Sequence, residues 1–269
     1  MLYSIARMIV YKEEGTCKNF PQDFCYDLAV KKRPLLIAAN WKMYAAPKSL
    51  KNYQSLKNIE VLVFPNFLDL RVCLDAEIVT GGQFGRPEKE GAFTGDVSSA
   101  MLKTLGCTHL LCGHSDRRQF HHETNEFVAA QAKAALAHGL HPVICIGERG
   151  EERDAGRGKS VIEDQMKAVI TVIGDADVTY AYEPVWAISR GDSNRPAATA
   201  NDAQEMHGFI RSLLPKSTRE KTRILYGGSM KPENCEELLT LPDIDGGLVG
   251  GASLDPSKFQ TILEVASRL

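Results

Sequence analysis

Pro142-Val143-Ile144-Cys145-Ile146 is apolar at every residue and is closed by Gly147. A strand with one wet face alternates in polarity, whereas a short unalternating run fits a strand covered on both faces, as in a parallel sheet under helices. Outward from it, runs of the same kind recur at 35–39, 60–64, 77–81, 109–113, 178–183, 223–227 and 246–249. Amphipathic stretches lie between and after them, near 47–58, 66–74, 97–106, 123–138, 160–173, 200–214, 232–240 and 256–268. Eight strand-then-helix units predict an α/β fold, and specifically a closed (β/α)8 barrel over a doubly wound sheet, because closure removes both sheet edges and permits short crossovers. Such a barrel places reactive groups just after its strands, at one mouth.

Composition narrows the function. The chain has 269 residues, 43% hydrophobic and 25% charged, with a formal net charge of -2. That is enough apolar content for one large core, and no basic block marks a nucleic-acid face. No apolar run approaches the roughly 18 residues that span a bilayer, so no membrane partner is expected. Seven cysteines, Cys17, Cys25, Cys73, Cys107, Cys112, Cys145 and Cys235, form no C-x-x-C pair. An odd, scattered set predicts a reducing, cytoplasmic setting and no structural zinc. Residues 1–33 read as an appendage to a single catalytic domain at 34–269; Arg7 and the acids Glu13, Glu14, Asp23 and Asp27 fit neither a secretory nor a transit peptide.

Glu183 ends the run Val178-Thr179-Tyr180-Ala181-Tyr182 and precedes Pro184. Proline disfavours helix at the residue before it, so this carboxylate sits at a strand-to-loop transition. Withdrawn from water there, it becomes a stronger base; a carboxylate satisfied by a structural Lys or Arg is the plainer alternative. His114 follows Leu110-Leu111-Cys112-Gly113 at another strand exit. Backbone N–H groups of the next turn would favour its neutral ring, although a buried structural histidine fits as well. Lys42 and Asn40 follow the first strand, where a cation could neutralise phosphate or an oxyanion. Gly227-Gly228-Ser229 and Gly250-Gly251 follow the last two strands, the loops at which barrels often hold phosphate on backbone donors. His121 and His122, beside Glu123 and Asn125, read as a solvated helix start.

With these residues placed, the chain from 34 to 269 resembles the triosephosphate isomerase family. The likeness is carried by Asn40-Trp41-Lys42, Gly91-Ala92-Phe93-Thr94-Gly95, Gly113-His114-Ser115-Asp116-Arg117-Arg118, Cys145-Ile146-Gly147-Glu148, Ala181-Tyr182-Glu183-Pro184-Val185-Trp186-Ala187-Ile188, Tyr226-Gly227-Gly228-Ser229 and Leu248-Val249-Gly250-Gly251-Ala252-Ser253-Leu254. It implies a TIM barrel that interconverts dihydroxyacetone phosphate and D-glyceraldehyde 3-phosphate through an enediolate, without metal or organic cofactor. Glu183 is then the base, His114 the electrophile, and Lys42 with Asn40 the charge-stabilising pair. The coupling of a carboxylate base to a neutral imidazole is known from this very family, so these roles rest on likeness. Ser229, Gly250, Gly251 and the backbone of Ser189 are the implied phosphate contacts, under a lid at 184 to about 197. Thr94 and its loop imply a homodimer.

The chain also departs from the family pattern. Its lid reads Ser189-Arg190-Gly191-Asp192-Ser193-Asn194-Arg195-Pro196-Ala197, Asp116 and Asp96 stand where glutamate is usual, and Phe84 follows Gln83 where asparagine is common. The longer lid keeps a four-carbon ketose phosphate, such as an erythrulose phosphate, as an alternative substrate. A non-catalytic phosphate-ligand sensor or scaffold is the alternative of another class.

Overall fold

A computed structural model describes residues 33–188 and 198–269. The N-terminal segment at 1–32 and the lid stretch at 189–197, Ser189 included, lie outside the described residues.

The first strand, β1 (Leu35–Asn40), is buried along its whole length and pairs in parallel with β2 (Ile59–Phe64). Short α1 (Leu70–Asp75) leads to β3 (Gly81–Gly82), and α2 (Ser99–Leu105) to β4 (His109–Cys112). After β4 come α3 (Ser115–Phe120) and α4 (Asn125–Ala137), then β5 (His141–Ile146) with α5 (Gly150–Asp154) and α6 (Gly158–Ile173). The chain continues through β6 (Thr179–Tyr182), α7 (Ala200–Leu213), β7 (Ile224–Tyr226), α8 (Cys235–Leu239), β8 (Gly246–Val249) and α9 (Pro256–Ala266).

The strands run in the order β2-β1-β8-β7-β6-β5-β4-β3. A parallel bridge between Val63 and Thr80, with Val63 N–H donating to the Val79 carbonyl at 2.9 Å, joins the two ends of the list. The molecule is thus the (β/α)8 TIM barrel that the repeated runs predict. Strand side chains alternate between two cores, as the pleat requires. Leu36, Ala38, Leu62, Phe64, Leu111, Val143, Cys145, Ala181, Leu225 and Leu248 fill the barrel interior. Their neighbours in sequence, Ile37, Val61, Val63, Leu110, Ile144, Ile146, Tyr180 and Ile224, pack outward against the helices.

Two expected elements differ. The stretch 47–58 is a helical turn at Leu50–Tyr53 and no longer helix. Tyr53 explains this: it is fully buried, meets Trp41 edge-on at 5.1 Å, stacks on Phe259 of α9 at 4.9 Å, and donates its hydroxyl to the Ser253 carbonyl. One aromatic anchor closes the gap over β1 that a longer helix would fill. The third strand is shorter than 77–81, because Glu77 is left-handed (φ 57°) and still belongs to the turn that ends α1.

Candidate active site

Every residue singled out for chemistry within the described chain stands at a strand exit of one mouth. Asn40 is the last residue of β1, 4% exposed, and its Oδ1 accepts the backbone N–H of Lys42 at 3.0 Å. That bond holds Lys42 in a left-handed conformation, φ 51°, which is rare for a residue with a long side chain. Gln83, just after β3, fixes the same turn from the other side: its Nε2 donates to the carbonyls of Lys42 and Phe64 at 2.8 and 2.9 Å. Lys42 Nζ pairs with Asp116 Oδ2 at 2.9 Å, both side chains a little under a third exposed. The cation is therefore delivered to the mouth on a constrained backbone.

His114 caps the N-terminus of α3. The backbone N–H of Asp116 donates into its Nδ1 at 3.1 Å, which leaves Nε2 as the nitrogen that faces the mouth with its hydrogen. Nε2 faces Glu183 Oε1 at 3.0 Å. The tautomer is the one a hydrogen-bond donor to a developing oxyanion needs.

Glu183 follows β6 and is 2% exposed. Its backbone N–H donates to the Ile146 carbonyl at 2.8 Å, and Oε2 and Oε1 accept the Ser115 N–H and hydroxyl at 2.8 and 3.3 Å. Burial raises its pKa, but His114, the Ser115 N–H and Lys42 more than offset that and hold it below the ordinary carboxylate value. The plainer reading of a carboxylate neutralised only by a structural Lys or Arg does not describe this group, whose direct partners are an imidazole and a helix start. Two glycines let it lie there. A Cβ on Gly147 would sit 1.8 Å from the Glu183 carbonyl oxygen, and one on Gly227 would meet Glu183 Cγ at 2.8 Å.

The phosphate candidates surround the same space. Gly250 follows β8, and a Cβ there would lie 3.6 Å from Lys42 Cε. Gly251 opens a helical turn to Leu254, whose first N–H groups have no partner within the turn. Nothing lies within 4 Å of a Cβ built on Gly251, so the backbone there is open to a ligand. Ser229 is half-buried after β7, its carbonyl tied by Asn234 Nδ2 at 2.9 Å. Among the described residues no group of three or more His, Cys, Asp or Glu could hold a metal ion, and no helix is long and apolar enough to cross a membrane.

Several supporting residues escape a reading of strand exits. Gln165 sits on the buried stripe of α6 with Ile162, Met166 and Val169, and its amide makes two bonds to the backbone of Gly147, at 2.8 and 3.0 Å. A polar side chain on an apolar stripe is the signal that finds it. Glu148, fully buried, accepts the Tyr182 hydroxyl and the Trp186 indole N–H on one oxygen, at 2.9 and 2.7 Å, and burial raises its pKa. Glu123 is no part of a solvated helix start: it is 8% exposed and paired with Arg117, whose guanidinium lies 3.7 Å over the Phe84 ring. His121 and His122 are exposed as expected.

The triosephosphate isomerase family model matches residues 35–266. A triosephosphate isomerase of Hydrogenovibrio crunogenus is 45% identical over 253 residues, covering 87% of this chain and 98% of that protein. Triosephosphate isomerases of Carboxydothermus hydrogenoformans and Chloroflexus aurantiacus are 44% and 42% identical, covering 86% and 85% of this chain and 98% and 97% of their own lengths. With the barrel, the left-handed lysine and the imidazole–carboxylate pair in place, a match of this extent means that the chain belongs to the triosephosphate isomerase family.

Proposed function

We propose that the chain interconverts dihydroxyacetone phosphate and D-glyceraldehyde 3-phosphate through an enediolate. The observation that carries this reading is the 3.0 Å approach of His114 Nε2 to Glu183, beside Lys42, in one mouth. Glu183 leaves its Ser115 donors and removes a proton from the carbon next to the carbonyl. His114 Nε2–H and Lys42 Nζ stabilise the oxygen that gains charge, and Asn40 keeps the Lys42 turn in shape. Within the enediolate His114 passes the hydroxyl proton from one oxygen to the other, and protonation of the neighbouring carbon by Glu183 then leaves the new carbonyl, while backbone donors at Gly250 and Gly251 with Ser229 hold the phosphate. Only protons move between atoms while the carbonyl passes through the enediolate to the neighbouring carbon, so the acid–base groups named carry the chemistry.

The relatives' names support the substrate, and exposed apolar side chains support a homodimer. Met43 and Tyr44 after β1, Leu68 after β2 and Phe93 after β3 are 95%, 59%, 91% and 38% exposed, on three successive loops of one rim. Clustered apolar exposure of this kind marks an interface. Arg86 braces the third of these loops by pairing with Glu88 and Asp96 and stacking on Phe93 at 3.7 Å. A cytoplasmic setting belongs to the same proposal, carried by cysteine usage; Cys73, Cys107, Cys112, Cys145 and Cys235 are free and buried.

The test is turnover of dihydroxyacetone phosphate and of D- and L-erythrulose phosphates in deuterated water, reading deuterium in product. High kcat/KM on the triose with exchange at carbon is expected. A large preference for a tetrulose phosphate would replace the substrate, and phosphate-ligand binding without exchange would replace the enzyme by a sensor. Glu183→Gln should lower kcat by about 10²–10⁴, the usual share of a general base, while phosphate binding is spared.

A further inference from the structure

The end of the barrel opposite the mouth is not apolar. Glu60 of β2, His109 of β4, His141 of β5, Thr179 of β6 and Arg223 before β7 each lie two residues ahead of an interior core residue, namely Leu62, Leu111, Val143, Ala181 and Leu225. The two-residue period of a strand turns all five into the barrel, where they form its floor. Arg223 Nη1 reaches across to Glu60 at 2.6 Å, although β8 and β1 lie between their strands in the sheet. His109 and His141 are direct register partners, with ring centroids 5.3 Å apart. Each ring has one nitrogen on a threonine hydroxyl: His109 Nδ1 on Thr108 at 2.7 Å and His141 Nε2 on Thr179 at 3.0 Å.

We propose that the His109–His141 pair is an acid-sensitive latch on the barrel floor, which seals β4 to β5 while both rings are neutral and opens that seam when the rings take up protons. Two imidazolium rings at this spacing, beside the Arg223 guanidinium, would bring three positive charges together in a partly dry space. The acids within reach are few. Glu60 is already paired with Arg223, and Asp177 stands at the start of β6, where it acts on His141. Val79 and Gly81 of the β3 segment, and Gly246 of β8, bring no charge. Around the rim, Lys103 of α2 donates to the Gly139 carbonyl, His138 after α4 bonds Ser99, and Arg33 and Arg211 are held by Asp245.

The electrostatics agree with the geometry. Burial, then His141 and Arg223, push His109 down to about 3, and burial with Arg223 lowers His141 despite Asp177 and Glu60. The unfolded chain therefore binds protons that the folded chain refuses. Stability from the pair is complete above the ordinary histidine value and is lost as pH falls below it, toward the depressed folded values. A single ring neutral in the fold and titrating near 6.5 when unfolded raises the unfolding constant by up to about thirtyfold at pH 5. Partial exposure of both rings brings the expected effect to about tenfold. β4 and β5 run directly from this floor to His114 and Gly147, so an opened seam would loosen the strands that carry the catalytic mouth.

The test uses the full chain at fixed protein concentration. Urea unfolding is compared at pH 7.5 and 5.0 for the natural sequence and for the His109→Tyr/His141→Gln double variant, whose side chains stay neutral at both values. The natural chain should lose about tenfold more in its folding equilibrium than the variant. Equal pH dependence would overturn the latch. If the variant does not fold, hydrogen exchange on the natural chain decides, after correction for intrinsic rates. Protection lost first at 109–112 and 141–146 on going to pH 5 supports the proposal, and uniform loss over all strands, or an imidazole in either position titrating near 6.5 in the folded protein, overturns it.

Discussion

Gly227→Ala tests whether the position of the base is set by the backbone around it. Gly227 is not left-handed, so alanine brings no conformational strain. Its cost is steric: the new Cβ would lie 2.8 Å from Glu183 Cγ and 3.0 Å from the Tyr182 carbonyl oxygen. Carbon atoms prefer about 3.5–4.0 Å, so the carboxylate arm has to retreat by roughly 1 Å, and the Tyr182 backbone limits relief by moving Gly227 instead. A misplacement of about 1 Å in a reacting group lowers rate by roughly 10², which corresponds to about 2.7 kcal/mol of barrier. Overpacking also costs about 1–3 kcal/mol of stability, a Tm loss of roughly 2–10 °C for a domain of this size. The assay is steady-state isomerisation together with binding of a phosphate ligand and a thermal melt. We expect kcat to fall about a hundredfold with little change in phosphate binding, whereas Gly150→Ala, whose Cβ would touch only Trp186 at an ordinary 3.7 Å, stays near the natural rate. A Gly227→Ala protein within about twofold of the natural kcat would refute the reasoning.

Arg211→Ala removes the ion-pair partner of Asp243, which keeps the Gln204 amide, and one partner of Asp245, together with bonds to the Arg219, Thr222 and Asp243 carbonyls; breaking one side of a buried ion pair costs about 3–5 kcal/mol, read as a Tm drop of roughly 10 °C. Gln165→Leu keeps the volume of the stripe but leaves the Gly147 N–H and carbonyl without their amide partner, which costs about 1–3 kcal/mol in urea unfolding and lowers kcat by shifting the Gly147–Glu183 contact. A carbon-13 titration of the Glu183 carboxyl in the free protein should give a midpoint below the ordinary value of about 4.3, and its stabilisation, present above that value, disappears as pH falls through the folded midpoint. A midpoint above 4.3 would contradict the donors assigned to it.

The barrel and its mouth were legible because each depends on a local pattern. Unalternating strands such as Val143–Ile146 report two-sided burial directly, and Glu183-Pro184 or Gly113-His114 report a strand exit by backbone chemistry alone. What stayed hidden depends on distant partners. Nothing near Tyr53 says that it will stack on Phe259, more than 200 positions away, and so replace a crossover helix by one aromatic anchor. Glu123 looked solvated because its neighbours His121 and His122 are polar, yet Arg117 and the Phe84–Phe127 pair draw it inward. The floor was missed for another reason: His109, His141 and Arg223 each resemble an ordinary polar residue at a strand start. Only the register, which puts all of them on the interior parity at once, turns them into a cluster.

Glu183, the proposed base, shows why burial alone is a poor guide to proton affinity. Glu183 is almost fully covered, and coverage by itself would make it a strong base, yet its net shift is downward. The difference lies in where the carboxylate rests: against His114 first, then the Ser115 N–H, with Lys42 nearby, all of which favour the charged form. In the proposed reaction, leaving Ser115 removes two donors and keeps the burial, so the displacement that would bring the oxygen to a carbon-bound proton would also raise its affinity for that proton. In that reaction His114 would turn from the carboxylate, and Lys42 from Asp116, to the substrate oxygen, which takes on negative charge as the proton leaves. Ser115→Ala, which keeps the N–H bond and loses the 3.3 Å hydroxyl contact, should therefore raise the Glu183 midpoint and spare most of kcat. A variant that kept the natural midpoint but lost activity would show that the hydroxyl acts on the substrate and not on the resting place of the base.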